Sequence, residues 1–256
     1  LILFYAQFIM KYRERFNTMR VLLLAVLFII PPLTLIYKQP NLSTTILVSV
    51  LFCVLMFVGG LSWKIIGGVL AVAVFLSIVM QEGQTLIKDY QRDRIMAFFD
   101  PATYADTEAY QQLNSVIAIG SGQLWGKGLN NTDIASVKNG NFLPESQTDF
   151  IFAVIGEELG FVGSAVVILL LILIAMRCVS IARVAKDTAG MVIAAGMGSL
   201  IGIQGFMNIA VATMMMPNTG LPLPFVSYGL SSLVSMYIGI GFVLNVGLQR
   251  KNLYNL

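Results

Sequence analysis

Three carboxylates fall within ten residues of LPESQTDFIFAVIGEELG, residues 143–160. Asp149 stands where a polar loop turns into an apolar segment, and Glu157 and Glu158 follow about two helical turns later. A charge at the centre of a bilayer costs at least roughly 2.5–3.5 kcal/mol, so acids inside an apolar span mark chemistry or transport. Asp149 has two readings. It can satisfy the free amides and the positive end of a starting helix, or, partly buried, it can serve as a general base. Glu145 is its i−4 neighbour if the helix starts early. At 1.5 Å and about 100° per residue, Glu157 and Glu158 lie about 12–14 Å from Asp149, rotated roughly 80° and 180° from it. The three cannot line one site. One glutamate is expected to face a polar cavity, and the other a partner on a neighbouring helix.

Other segments carry polar groups in patterned settings. The stretch MPNTGLPLPFVSYGLSS (216–232), with Ser227 in it, reads either as a rigid cap between two spans or as a re-entrant part of a site. QPNLST (39–44) reads as a helix start, with Pro40, Asn41 and Ser43. Lys88, Arg92, Arg94, Lys127 and Lys138 are cations able to meet a lipid phosphate, or simply to stay solvated.

The elements that must position these groups are membrane helices. The chain is 57% hydrophobic and 11% charged, with a mean hydropathy of +0.81, whereas a soluble domain has about 25% charged residues. Its apolar runs are near the roughly 20 residues that cross the hydrocarbon as helix, and they lack the alternation of barrel strands. Full spans are expected at 20–37, 42–60, 63–81, 150–176, 189–216 and 230–248, after a half-span at 1–10. The expected fold is therefore an all-α polytopic transmembrane bundle of about 6.5 spans. Pro31 and Pro32 interrupt the first full span, and Gly196, Gly198, Gly202 and Gly205 suit close helix packing. Opening inside an apolar run at Leu1, the chain reads as the C-terminal part of a longer protein.

Charge sets the expected orientation. Ten of the 16 Lys and Arg, and only two of the 13 Asp and Glu, fall in 11–20, the 59–64 turn, 177–188 and the tail. By the positive-inside rule those regions face the cytoplasm, so the 82–148 loop and the 217–229 loop are extracytoplasmic. The chain thus reads as one integral membrane domain, 1–256, with the 82–148 loop inside it. That loop carries KDYQRDRIMAFFDP, which places Ile95, Met96, Phe98 and Phe99 on one face of a surface helix ended by Pro101. A second mildly amphipathic segment, YQQLNSVIAIGSGQLWGKGL, runs into glycine turns. Loops of this length are uncommon without a function.

Whole classes of chemistry drop out. There is no histidine, so histidine proton shuttles, Ser-His-Asp triads and histidine metal sites are excluded, and no G-x-S-x-G elbow is present. Cys53 and Cys178 lie far apart in apolar runs and read as buried, inert thiols rather than a disulfide.

LPESQTDFIFAVIGEELG, the two loop segments and TGLPLPFVSYG together resemble the SEDS family of bacterial cell-wall polymerases, the RodA/FtsW/SpoVE group, in order and spacing along essentially the whole chain. The resemblance implies a peptidoglycan glycosyltransferase of the bacterial cytoplasmic membrane, with a cytoplasmic C-terminus. It implies joining of lipid II disaccharides at the outer face, for cell shape or division, and a class B penicillin-binding protein as partner. Neither nucleic acid nor a resident metal is implied, although a divalent cation could assist. The family's catalytic aspartate corresponds to Asp149. Glu145, Glu157, Glu158, Arg92, Arg94, Lys127 and Ser227 are the accompanying candidates for substrate binding. The sequence departs from the family pattern at Asn41 and Ser43, where the family usually has Asp and often Gly, and at Leu230, where it has a second Gly. A P-S-E-x-x-K motif expected just ahead of residue 1 is not in the chain, so the chain by itself is expected to be inactive.

The chemistry implied is a single inverting displacement, which needs one placed base and stabilisation of a departing diphosphate. Two rivals remain: a carrier that flips lipid-linked precursors, since intramembrane acids and broken helices suit carriers too, and a non-catalytic scaffold of the penicillin-binding partner. A carrier keeps its key charges near the midplane, whereas Asp149 is expected at the outer interface beneath a large loop.

Overall fold

A computed structural model describes residues 1–39, 41–62, 67, 89–129, 143–144 and 146–249. The expected span at 63–81 lies outside these residues, as do Glu145, Lys88, Lys138, Pro40 and the end of the tail. Among the described residues there are eight α-helices, one short 3₁₀ turn at Arg13–Arg15 and no strand. The helices are α1 (Ile2–Tyr12), α2 (Met19–Lys38), α3 (Leu42–Val58), α4 (Asp89–Phe99), α5 (Tyr110–Ser121), α6 (Ile151–Arg183), α7 (Thr188–Ala212) and α8 (Leu230–Leu248). Among the described residues, α2, α6, α7 and α8 are long and apolar enough to cross a membrane. The expected 42–60 span is the 17-residue helix α3, about 26 Å long.

The chain divides into two compact units, Leu1–Lys88 with Ala175–Leu200 and Ile238–Leu256, and Asp89–Ile174 with Ile201–Tyr237. In the first unit, four-residue spacing sets Val21, Ala25 and Ile29 on one stripe of α2 and Leu51 and Leu55 on one stripe of α3. They bury Tyr5, Ala6 and Ile9 of α1 together with Val192. The Tyr5 ring meets Phe52 edge-on at 5.1 Å, and its hydroxyl donates to Ala25 O at 2.8 Å. Tyr5→Phe keeps the packing and removes one buried hydrogen bond. Thermal unfolding in detergent should therefore show a loss of about 1 kcal/mol. Helix α2 runs through both prolines, and Thr34 Oγ1 donates to Pro31 O at 2.8 Å. Asn41 caps α3 by accepting from Thr44 N at 2.9 Å, as its position in QPNLST predicts.

In the second unit the loop segments form the two expected helices, α4 and α5. Asp100 and Pro101 follow α4, and Thr103 Oγ1 donates to Asp100 Oδ2 at 2.6 Å. Ala97 is buried on the side of α4 opposite the expected apolar face, on which Met96 and Phe99 are exposed and Ile95 and Phe98 half-buried. Helix α5 buries polar residues instead. Gln112 Nε2 donates to Val211 O and Met216 O at 3.0 and 2.8 Å, and Ser115 Oγ donates to Ala212 O at 2.7 Å. The bonds to Val211 O and Ala212 O reach carbonyls that the end of α7 leaves without helical partners.

The largest departure from expectation is in α6. The sequence reads as one span through 150–176, but Gly160 has φ +66° and ψ −163°. That left-handed conformation favours glycine, and it splits the element into a short helix, 151–159, and a long one, 161–183. The long part has 23 residues and is about 35 Å long, enough to span the hydrocarbon by itself. Glu157 and Glu158 therefore precede the spanning helix instead of lying deep within it.

Candidate active site

Asp149 sits in the turn before the short helix 151–159, half-buried, next to the fully buried Phe150. The peptide around it is held by side chains from distant parts of the chain. Asn208, 1% exposed on α7, donates through Nδ2 to Asp149 O at 2.6 Å and to Leu221 O at 2.7 Å. Ser227, also buried, donates to Thr148 O at 2.5 Å and accepts from Leu223 N at 2.6 Å. Tyr228 N donates to Gln147 O at 2.9 Å. One turn before Asn208, Gln204 Nε2 donates to Pro222 O at 2.8 Å. The 216–229 segment is thus bonded to the aspartate turn at two points, through Ser227 and Tyr228, and Asn208 of α7 bridges the two.

The carboxylate itself lies against this segment. At Gly220, where φ is +62°, a Cβ would be 3.2 Å from Asp149 Oδ2. A glycine is required there twice over, by its backbone conformation and by the approach of the carboxylate.

The far end of the short helix is held by a second device. The turn after α5 doubles back on residues 156–162. Lys127 N and Gly128 N donate to Glu157 O and Glu158 O at 2.9 and 3.0 Å, and Phe161 N and Val162 N donate to Gln123 O and Leu124 O at 2.8 and 3.2 Å. Side chains are excluded where the two strands of this clasp meet. A Cβ on Gly122 would collide with Gly156 O, and one on Gly126 with Glu158 O. Gly122→Ala must pry the clasp apart. It should lower stability in detergent by about 1–3 kcal/mol, the usual range for overpacking, as read from the melting temperature.

Lys127 Nζ contacts Glu157 Oε1 at 2.8 Å, with Glu157 only 2% exposed. This partner of Glu157 lies on the turn after α5 and not on a neighbouring helix. Arg92 and Arg94 are exposed on α4. The structure brings Ser227 to the Thr148 carbonyl beside Asp149 and Lys127 to Glu157, and Glu145 lies outside the described residues. Sequence reasoning missed Asn208, Gln204 and Gln112. The available signal was two amides at i, i+4 spacing, Gln204 and Asn208, in an otherwise apolar helix, where polar groups need a partner.

These features define an all-α membrane protein whose polar site is assembled around a carboxylate at the entrance of a broken helix. The chain belongs to the FtsW/RodA/SpoVE family of cell cycle proteins, whose family model matches residues 1–252. It is 41% identical over 231 residues to the peptidoglycan glycosyltransferase MrdB of Escherichia coli K12, covering 90% of this chain and 61% of that protein. It is 37% identical over 221 residues to the probable peptidoglycan glycosyltransferase FtsW of Nitrosomonas europaea, covering 85% and 55%. The chain thus spans less than two thirds of either relative. Among solved structures it is similar to a chain of a peptidoglycan synthase complex that coordinates polymerization and crosslinking, with TM-score 0.71, 28% identity and coverage of 92% and 64%. The rod shape determining protein RodA of Thermus thermophilus is similar with TM-score 0.61, 27% identity and coverage of 98% and 64%.

Proposed function

We propose that the protein is a peptidoglycan glycosyltransferase that polymerises lipid II at the outer face of the bacterial cytoplasmic membrane, for cell shape or division, with Asp149 as general base. The observation that carries this reading is the clamp on the aspartate turn by Asn208 and Ser227, with the carboxylate held against Gly220. A general base needs a fixed position within hydrogen-bond reach of its proton. In the reaction, Asp149 takes the proton of the acceptor sugar's 4-hydroxyl as that oxygen bonds to the donor's anomeric carbon. The bond from that carbon to the polyprenyl diphosphate breaks, and the diphosphate leaves with the electron pair. Attack opposite the leaving group inverts the anomeric centre, which requires no covalent nucleophile and no histidine. Stabilising the departing diphosphate falls to cations such as Arg92 and Arg94 of the loop helix, or to a divalent cation. Ser227 acts here on the backbone beside the base.

The partner proposed is a class B penicillin-binding protein. The similarity to a synthase complex that couples polymerization with crosslinking supports it. The orientation proposed follows the basic residues and puts the C-terminus in the cytoplasm and the 82–148 loop outside, within one membrane domain.

The test uses the full-length protein in vesicles loaded with labelled lipid II, with the penicillin-binding partner present. Polymer should form. Transbilayer movement of lipid II without polymer would replace this reading with a carrier. Neither activity, with crosslinking by the partner stimulated, would replace it with a scaffold.

A further inference from the structure

We infer that Lys127 and Glu157 form a positioning pair for Asp149, locking the far end of the short helix that follows the Asp149 turn. The inference rests on the reading of Asp149 as the base. Residues 151–159 make a helix of about 13 Å. An isolated helix shorter than about 12–15 residues is marginal by itself, so this one depends on the packing of its buried face and on what holds its ends. Its start is held by Asn208 and Ser227. Its end gains no rigidity from the spanning helix, because Gly160 interrupts the helical backbone between them. Its apolar face is packed along its length, with Phe152, Ala153 and Ile155 buried, and among the described residues its end is held by the clasp: four backbone hydrogen bonds and the ion pair at 2.8 Å.

The same geometry argues against Lys127 as a ligand of the lipid phosphate. Its charge is already matched by a buried carboxylate, and a phosphate that drew it away would have to break that ion pair. Lys127 and Glu157 therefore act through Asp149 and touch no substrate. In stability a buried pair behaves asymmetrically: removing one partner strands the other, while removing both at similar volume is nearly neutral.

The experiment compares the full-length protein with Lys127→Met, Lys127→Arg and the double variant Lys127→Met/Glu157→Gln. Polymerisation of lipid II is read as kcat and KM, and hydrogen exchange is read at the amides of 151–159. Lys127→Met should lower kcat about a hundredfold, the scale of a 1 Å misplacement, with KM changed by less than about threefold. Exchange in 151–159 should rise about tenfold or more. Lys127→Arg should leave both readouts near those of the unmodified protein. The double variant also lacks the ion pair, so kcat should stay lowered about a hundredfold and exchange in 151–159 should stay raised, with KM again changed by less than about threefold. A raised KM in both the single and the double variant would make Lys127 a substrate ligand and overturn the inference, and so would unchanged exchange in Lys127→Met. An unmodified protein that makes no polymer would count against the glycosyltransferase reading, and the exchange data would still decide the role of the clasp.

Discussion

Asp149→Asn should reduce lipid II polymerisation by about 10²–10⁴-fold, the usual contribution of a positioned general base. The substitution is nearly isosteric and leaves the backbone clamp intact, because Asn208 and Ser227 bond to main-chain carbonyls of residues 149 and 148 and not to the carboxylate. The melting temperature and the affinity for lipid II should therefore stay close to those of the unmodified protein. Loss of rate with binding and fold retained separates a missing base from a damaged site. Loss of all three together would mean that the Asp149 carboxylate chiefly supports the helix start.

The second large effect is expected one shell out. Asn208→Leu keeps the volume of a buried side chain but removes both donors, leaving the carbonyls of Asp149 and Leu221 without the bonds at 2.6 and 2.7 Å. An acceptor left unsatisfied in a buried site costs about 1–3 kcal/mol. Among the described residues Asn208 Oδ1 accepts no hydrogen bond, so the side chain works here through its amide hydrogens. The aspartate turn and the Gly220–Leu221 segment should drift apart, and a shift of about 1 Å suffices for a hundredfold loss. The expected result is a kcat lowered about a hundredfold with KM changed by less than about threefold, measured in the full-length protein. An unaltered kcat would show that the clamp does not set the position of the base.

Much of the architecture is legible in the residues because apolar length is a one-dimensional signal. The spans at 20–37, 189–216 and 230–248 correspond to α2, α7 and α8, and the two loop segments are the helices α4 and α5. The boundary position of Asp149 is legible for the same reason, since polarity changes there. The break at Gly160 is not. A glycine between GEEL and FVGS is equally compatible with a continuous helix, and only the pairing with residues 123–128 selects the left-handed backbone. That pairing joins residues about thirty positions apart, and the Asn208 contact to Asp149 joins residues 59 apart. No periodicity links such positions. The ion pair is hidden likewise: Lys127 reads as a solvated or phosphate-binding cation and Glu157 as facing a polar cavity or a neighbouring helix, and the fold puts them 2.8 Å apart.

The most direct test of a placed base in a glycosyltransferase is glycan formation from labelled lipid II. The full-length protein, its Asp149→Asn variant and its Asn208→Leu variant would be assayed side by side in detergent with the penicillin-binding partner. The account predicts polymer from the unmodified protein, a rate lowered about 10²–10⁴-fold in Asp149→Asn and about a hundredfold in Asn208→Leu. Polymer from Asp149→Asn at the unmodified rate would contradict it.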